Sequence, residues 1–329
     1  MMTKRKLIQL CASVVVALGL NAAPVRADDY PSKPIRIIVP FAAGGITDFL
    51  GRFAAEYISG KTGQQAIVEN RSGAGGTIGM EAIAKAAPDG HTLGIGSASD
   101  IAVNSFLYKH LSFDPLKDLV PVALLADAPQ LLVINAQLPA KTLQEFIAYA
   151  KANPGRINYG SAGSGSTIQI GALLFARLAG LDLVHVPYRG ATPAVTDMIG
   201  GRIQMMHLSL QPVISHVQSG ALRILVVTLP ERWKDYLPQV PTSAEAGLPG
   251  YEMALWFGLV APRATPQPII NQLNGYMRSM ISEPATKKRL VDAFLRPAAS
   301  MSAAEFQAFI HRDAPRWERI VRETGVTLD

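Results

Sequence analysis

Along most of the chain, short apolar runs rich in β-branched residues alternate with segments whose apolar positions recur at helical spacing. Ile35 to Val39 is the first such run. It ends at Pro40 and Gly44-Gly45, which reads as a buried strand. Thr47-Asp48 then offers an N-cap to a helix carrying Phe49, Leu50, Phe53, Ala54, Tyr57 and Ile58, expected to stop at Gly60. The unit recurs as the strand Ala66 to Val68, the loop Asn70 to Gly76, a helix through Met80 to Ala86, and the strand Leu93 to Ile95. Further on come a helix Leu143 to Ala152, a strand Ile157 to Tyr159, a glycine-rich loop Gly160 to Ser166 and a helix Ile168 to Ala179. The strand Leu183 to Val186, the helix Pro193 to Ile199 and a strand from Ile203 to Met206 complete the series.

Strand, glycine turn and helix in repetition predict an α/β fold with mainly parallel sheets flanked by helices, and two such sheets suit the length better than one. Leu119 to Leu138 carries Asp127 and is interrupted by Pro121 and Pro129, so it reads as buried strands and turns rather than a membrane span. Boundaries are expected near Leu131 and before Leu255. Residues 28–130 with 255–329 would form one lobe and 131–254 the other. The C-terminal part predicts two amphipathic helices, Pro268 to Ile281 and Ala303 to Val321. A chain that leaves one α/β lobe and returns to it leaves a cleft between two crossing strands, and such clefts bind ligands.

Charge and composition remove whole classes of function. The formal charge of the 329 residues is +6, but Lys4, Arg5, Lys6 and Arg26 lie within the first 27 positions; without them 27 basic face 25 acidic residues, a net of +2. A basic nucleic-acid binder is therefore excluded. That opening segment has a positive start, an apolar run from Leu7 to Leu20 broken by Gln9 and Ser13, and a small-residue exit at Val25-Arg26-Ala27. It reads as a secretory signal peptide, residues 1–27, cleaved after Ala27. The only cysteine, Cys11, is inside it, so the exported chain would have no disulfide, thiol nucleophile or thiolate metal site. Periplasmic localisation follows.

Known chemical motifs are missing. Gly60-Lys61-Thr62 has Ala55 where a phosphate-binding loop needs glycine, and Gly73 to Gly79 places its third glycine one residue late for a dinucleotide site. The six histidines are dispersed without metal-ligand spacing, and Gly-x-Ser-x-Gly does not occur, so neither cofactor nor metal is expected. Two loops of similar design remain, Pro40 to Asp48 and Tyr159 to Thr167, each where a strand meets a helix N-terminus. Unpaired N–H groups and the helix dipole make such a place attractive to an anion, by about 0.3–1 kcal/mol when exposed. Two of them, one per lobe, suit a small molecule carrying a carboxylate.

The same residues carry a family likeness. Tyr30 to Phe41 (YPSKPIRIIVPF), Val68 to Thr77 (VENRSGAGGT), Ala87 to Leu93 (APDGHTL), Val186 to Gly190 (VPYRG), Thr196 to Gly201 (TDMIGG), Pro241 to Gly250 (PTSAEAGLPG) and Trp256 to Leu259 (WFGL) resemble the signature of the Bug/TctC family. These are periplasmic solute-binding proteins of tripartite tricarboxylate transporters. The resemblance implies a type II-like periplasmic binding fold whose lobes close on a ligand. It implies that Phe41, Ala43, Gly44, Gly45, Ile46, Thr47 and Asp48 hold one ligand carboxylate through backbone groups and water, with Asp48 as a helix-start cap and water holder. Ser97 belongs to the same expected set. From the other lobe come Ser161, Ala162, Gly163, Ser164, Gly165, Ser166 and Thr167, followed by Gln169 and His207.

Three departures matter. Ala42, Ala43 and bulky Ile46 replace a more usual proline and small residue, Gln169 replaces a frequent histidine, and His207 replaces a frequent acidic residue that could pair with a ligand ammonium. A di-, tri- or aromatic carboxylic acid without an amino group is thus the expected ligand, delivered by a monomer to membrane transporter subunits or a sensor. The competing readings are an exported hydrolase using Ser164 or Ser166, for which no base stands at readable spacing, and a binding protein of another transporter type.

Overall fold

The computed structural model describes residues 30–328; the expected signal peptide and its cleavage after Ala27 lie outside them. In chain order the first part runs β1 (Ile35–Val39), α1 (Ile46–Thr62), β2 (Ala66–Asn70), a 3-10 turn (Ala74–Gly76), α2 (Thr77–Ala84), β3 (Thr92–Ser97), a π-helical turn (Ala98–Val103), α3 (Asn104–Leu107) and β4 (Leu119–Asn135). The second runs α4 (Leu143–Ala152), β5 (Ile157–Ser161), α5 (Thr167–Ala179), β6 (Leu183–Pro187), α6 (Ala191–Ile199), β7 (Met205–Ser209), α7 (Ile214–Gln218) and β8 (Leu222–Val227). The chain closes with β9 (Ala254–Pro262), α8 (Gln267–Ser282), α9 (Pro284–Asp292), β10 (Arg296–Pro297) and α10 (Ala303–Thr324).

The α/β class holds, but the sheets are mixed rather than mainly parallel. The pairs β1–β2, β1–β3, β5–β6 and β5–β7 are parallel, whereas every pairing of β4 and β9 is antiparallel. Antiparallel strands accumulate where the chain crosses and returns, because a return crossing runs opposite to the outgoing one.

The expected broken segment around Pro121 and Pro129 is instead one continuous strand, β4, buried along its length except at half-buried Asp127. Proline cannot donate to a ladder, so it is tolerated at irregularities and ends of pairing. Both prolines meet that condition. The β4–β9 register shifts between Pro121 and Ala123, and Pro129 is the last residue of β4 paired with β9. From Gln130 onward β4 pairs with β7 on one side, and from Leu131 with β8 on the other. One strand therefore belongs to two sheets, with order β2-β1-β3-β9-β4 in the first and β4-β7-β5-β6 in the second.

Three apolar clusters hold this arrangement. Ile35, Ile37, Val39, Leu50 and Ile58 pack with Leu273 and Met277 on one face of the first sheet. Leu131, Val133, Val195, Met198 and Leu208 fill one face of the second. A third cluster runs through both, joining Ile38 and Ile83 to Phe146, Phe175 and Trp317. Trp317 lies on α10, whose start is fixed by a capping box between Ser302 and Glu305.

Strand direction positions the loops. β3 and the first stretch of β4 both run antiparallel to β9, so β3, and β1 beside it, point toward the second sheet. β7 runs antiparallel to the last stretch of β4, so β7 and its parallel neighbours β5 and β6 point back toward the first. The C-terminal ends of β1, β3, β5 and β6 therefore look across the same junction.

Candidate functional site

The loop after β1 is built around Asp48. The helix begins one residue before the expected cap: Gly45 occupies the N-cap with no side-chain hydrogen bond, and Ile46 opens α1. Asp48 acts from the third helical position instead. Its Oδ2 accepts from the Gly44 amide and from Arg52 Nε, both at 3.0 Å, and its Oδ1 accepts from Asn70 Nδ2 at 2.9 Å. Asn70 Nδ2 also donates to the Phe41 carbonyl at 3.0 Å, tying the loop to the end of β2. Burial works to raise the Asp48 pKa, but the hydrogen bonds from Arg52, Gly44 and Asn70 outweigh it and bring it down to about 2. Asp48 is thus a carboxylate committed to shaping the loop. Ala43, Gly44 and Gly45 are exposed, Phe41 and Ile46 half-buried, and Thr47 buried. Gly44 adopts φ +90°, which glycine alone takes without strain. The first amides of α1 have no partner within the helix.

Ser97, at the end of β3, is buried and turned inward. Its amide donates to Asp100 Oδ1 at 2.8 Å and its hydroxyl to Asp100 Oδ2 at 2.7 Å, capping the π-helical turn. Asp100 is fully buried, and loss of solvent raises its pKa to about 7, against the lowering effect of the Ser97 bonds. Asp100 was not among the expected residues; the Ser97-x-x-Asp100 capping spacing was the one signal that marked it. It stands close behind the loop after β1: a Cβ on Gly76 would lie 3.1 Å from Phe41 Cζ and 3.2 Å from Asp100 Cβ.

The loop after β5 is a closed set of hydrogen bonds. Ser166 caps α5, accepting from the Gln169 amide, while its hydroxyl donates to the Gly163 carbonyl at 2.7 Å. The Gly163 amide donates to Ser161 Oγ at 3.1 Å, and the Gly165 amide to Gln169 Oε1 at 2.7 Å. His185 of β6 stacks on Tyr159 with ring centroids 4.9 Å apart, and touches Ser161 Oγ through Nε2 at 2.7 Å and Gln169 Nε2 through Nδ1 at 3.2 Å. Burial lowers the His185 pKa. Ser164 is exposed; Ala162, Gly163, Gly165, Ser166 and Thr167 are half-buried; Ser161 and Gln169 are buried.

Gly165 ties this loop to the first part of the chain. It holds φ +79°, and a Cβ there would meet Leu328 Cδ1 at 2.6 Å and Leu107 Cδ2 at 3.1 Å. Leu107 ends α3, whose Asn104 donates through Nδ2 to the Gly75 carbonyl at 2.9 Å. Gly76, next in the chain, rests on Phe41. A continuous path of packed residues therefore links the two loops.

His207 is where the expected wall fails. It is fully buried, with Nδ1 bonded to the Tyr251 hydroxyl at 2.7 Å, and its ring sits so close under Gly171 of α5 that a Cβ there would lie 2.1 Å from Cδ2. β7 alternates its side chains, and this register sends His207 beneath α5 rather than to the strand's exposed end. Burial brings its pKa down to about 3, so it is a neutral core ring. Ligand selection through the charge of this residue is removed.

The chain from residue 50 to 326 matches the family model of the tripartite tricarboxylate transporter family receptor, TctC. The chain belongs to that family. Its relatives include Protein BugT of Bordetella pertussis, 37% identical over 331 residues that cover 99% of this chain and 100% of BugT. Among solved structures, R. palustris Rpa4515 with adipate superposes at TM-score 0.82 with 33% identity, covering 91% of this chain and 99% of that one. MatC from Rhodopseudomonas palustris, with bound malate, superposes at 0.78 with 34% identity, covering 89% and 100%.

For a TctC receptor, the serines of the second loop have structural work. Ser166 is a helix cap, and among the described residues neither it nor exposed Ser164 is hydrogen-bonded to a histidine. Within this loop, among the described residues, the serine whose hydroxyl meets a histidine ring is Ser161. It has no exposed surface, and the far nitrogen of its His185 faces an amide rather than a carboxylate, so the orienting acid of a catalytic triad is replaced by Gln169. Among the described residues no three His, Cys, Asp or Glu side chains converge on a metal position, and no helix is long and apolar enough to cross a membrane.

Proposed function

We propose that this receptor works in the periplasm as a non-enzymatic monomer and captures a small carboxylate lacking an amino group between the loops Phe41 to Asp48 and Ser161 to Thr167. It hands the ligand to membrane transporter subunits or to a sensor. The carrying observation is that β1 and β5 run toward each other across the shared strand β4, so the glycine loops at their ends oppose one another. Their helix N-terminal amides supply the grip. Asp48, Ser97 and Gln169 set loop shape from behind, each with its polar atoms already engaged. Residues 28–130 with 255–329 and residues 131–254 act as the two closing lobes.

The relatives solved with adipate and with malate, at about one-third identity, favour a dicarboxylate. Isothermal titration calorimetry and thermal melting with adipate, malate, aspartate and glutamate test the reading. Adipate or malate should bind without turnover, and at one hundred times the dissociation constant should add about 2.7 kcal/mol of stability. Micromolar binding of aspartate or glutamate with no response to any amino-free carboxylate sinks it.

A further inference from the structure

We propose that His185 is a positioning residue of the receptor site: as a neutral ring with its proton on Nε2, it holds the second glycine loop in the shape that presents its amides to a ligand, and acid releases that loop. The proposal rests on the reading of Ser161 to Thr167 as half of the ligand grip.

The tautomer follows from following the donors around the network. The Gly165 amide can only donate, so the Gln169 atom it meets at 2.7 Å must be the carbonyl oxygen, Oε1. The other end of that side chain is then the NH2, and it faces His185 Nδ1 at 3.2 Å, so Nδ1 must accept. A neutral imidazole that accepts at Nδ1 carries its proton on Nε2, which donates to Ser161 Oγ at 2.7 Å. The Ser161 hydroxyl proton then goes to the Gly163 carbonyl at 3.1 Å, and the Gly163 amide donates back to Ser161 Oγ at 3.1 Å. Along this chain from Gly165 through Gln169, His185 and Ser161 to Gly163, each donor meets an acceptor.

Protonating Nδ1 sets N–H against the Gln169 NH2. Flipping the amide relieves that clash but turns the NH2 toward the Gly165 amide. Either way a half-buried glycine amide of the loop, or the histidine itself, loses its partner. Among the described residues, the groups in contact with the ring are Tyr159 and Ser161 from β5 and Gln169 from α5. None of them is charged, the Tyr159 phenol being pushed up to about 12, chiefly by burial. Among the described residues no carboxylate is therefore in contact to stabilise the imidazolium, and burial moves the titration below the ordinary histidine range. The loop is intact above that midpoint and lost below it.

The test is nuclear magnetic resonance of the unliganded purified protein between pH 4.5 and 8, reading the His185 ring nitrogens and the Gly163 and Gly165 amides, with His185→Gln as the non-titrating partner. The expected result is an Nε2–H tautomer, both glycine amides shifting with the His185 midpoint below 6.5, and loss of that shift in the variant. An Nδ1–H tautomer, or glycine amides indifferent to the His185 titration, overturns the proposal, and the wild-type spectra decide this even if the variant does not fold. In parallel, adipate affinity should fall about tenfold through the same midpoint in the wild type beyond any fall seen in the variant, since the ligand's own protonation is common to both. Adipate that binds more tightly to the protonated form overturns the proposal as well. If adipate binds at no pH, the carboxylate reading falls, and the glycine amides alone judge His185.

Discussion

Asp48 and Asp100 are two carboxylates within one loop region, and their surroundings push them in opposite directions. Asp48 faces a guanidinium, an amide nitrogen and the Asn70 NH2, and stays ionised; Asp100 is sealed in with Ser97 and backbone N–H groups, and no cation among the described residues shifts its pKa. The folded Asp100 carboxyl keeps its proton to about 7, whereas the unfolded one releases it near 4. Between those values the native state binds more protons, so stability falls as pH rises, and the loss levels off above about 7. Asp100→Asn cannot ionise and should gain melting temperature relative to wild type on going from pH 5 to pH 8. Parallel melting curves at the two pH values would show that Asp100 does not titrate this way. The position of Asp48 at a helix start was legible from its neighbours in the sequence. The burial of Asp100 and His207 was not, because it depends on Phe41, Gly76 and Gly171, which lie elsewhere in the chain.

Elements with strong local signals fold over the ranges their sequence predicts, and those shaped by distant partners do not. Leu143–Ala152 matches its expected range because its cap, Thr142, and its apolar stripe are contiguous. The helix expected to end at Gly60 continues to Thr62, and Gly63 in the left-handed conformation closes it. Gly60 is therefore an ordinary exposed helical glycine with open space around its Cβ position. Gly60→Ala should stabilise the protein by about 0.5–1 kcal/mol, through helix propensity and a less flexible unfolded chain. Gly79 looks similar in sequence, yet a Cβ there would stand 2.6 Å from Pro40 Cα and 2.8 Å from the Arg71 carbonyl, both backbone atoms that have little room to yield. Gly79→Ala should cost about 1–3 kcal/mol. Urea denaturation of the two variants checks the pair, and equal effects would refute the packing explanation.

The whole molecule is joined by more than its crossing strands. Trp317 on α10 is fully buried in the cluster that also contains Ile38 of the first sheet and Phe175 beside the second. Arg177 of α5 donates to the Glu323 carbonyl at 2.8 Å, fastening α10 to the helix whose start is the second glycine loop. A core shared in this way couples the two halves, so unfolding is expected as one transition. Trp317→Ala should lower stability by about 3–5 kcal/mol and keep that single transition in differential scanning calorimetry. Two well-separated peaks in the wild-type protein would contradict the coupling.

Apolar periodicity and glycine placement determined the α/β class, the order of most elements and the two loops at strand ends, because each of these depends on residues a few positions apart. Tertiary structure alone decided that β4 is a single strand shared between two sheets, that β1 and β5 point toward each other, and that Ser161, Gln169 and His185 meet. Pairing partners and strand direction are long-range properties. A local pattern of apolar residues fits either direction, and the choice is made by which hydrogen-bond ladders and buried surfaces the whole chain can satisfy at once.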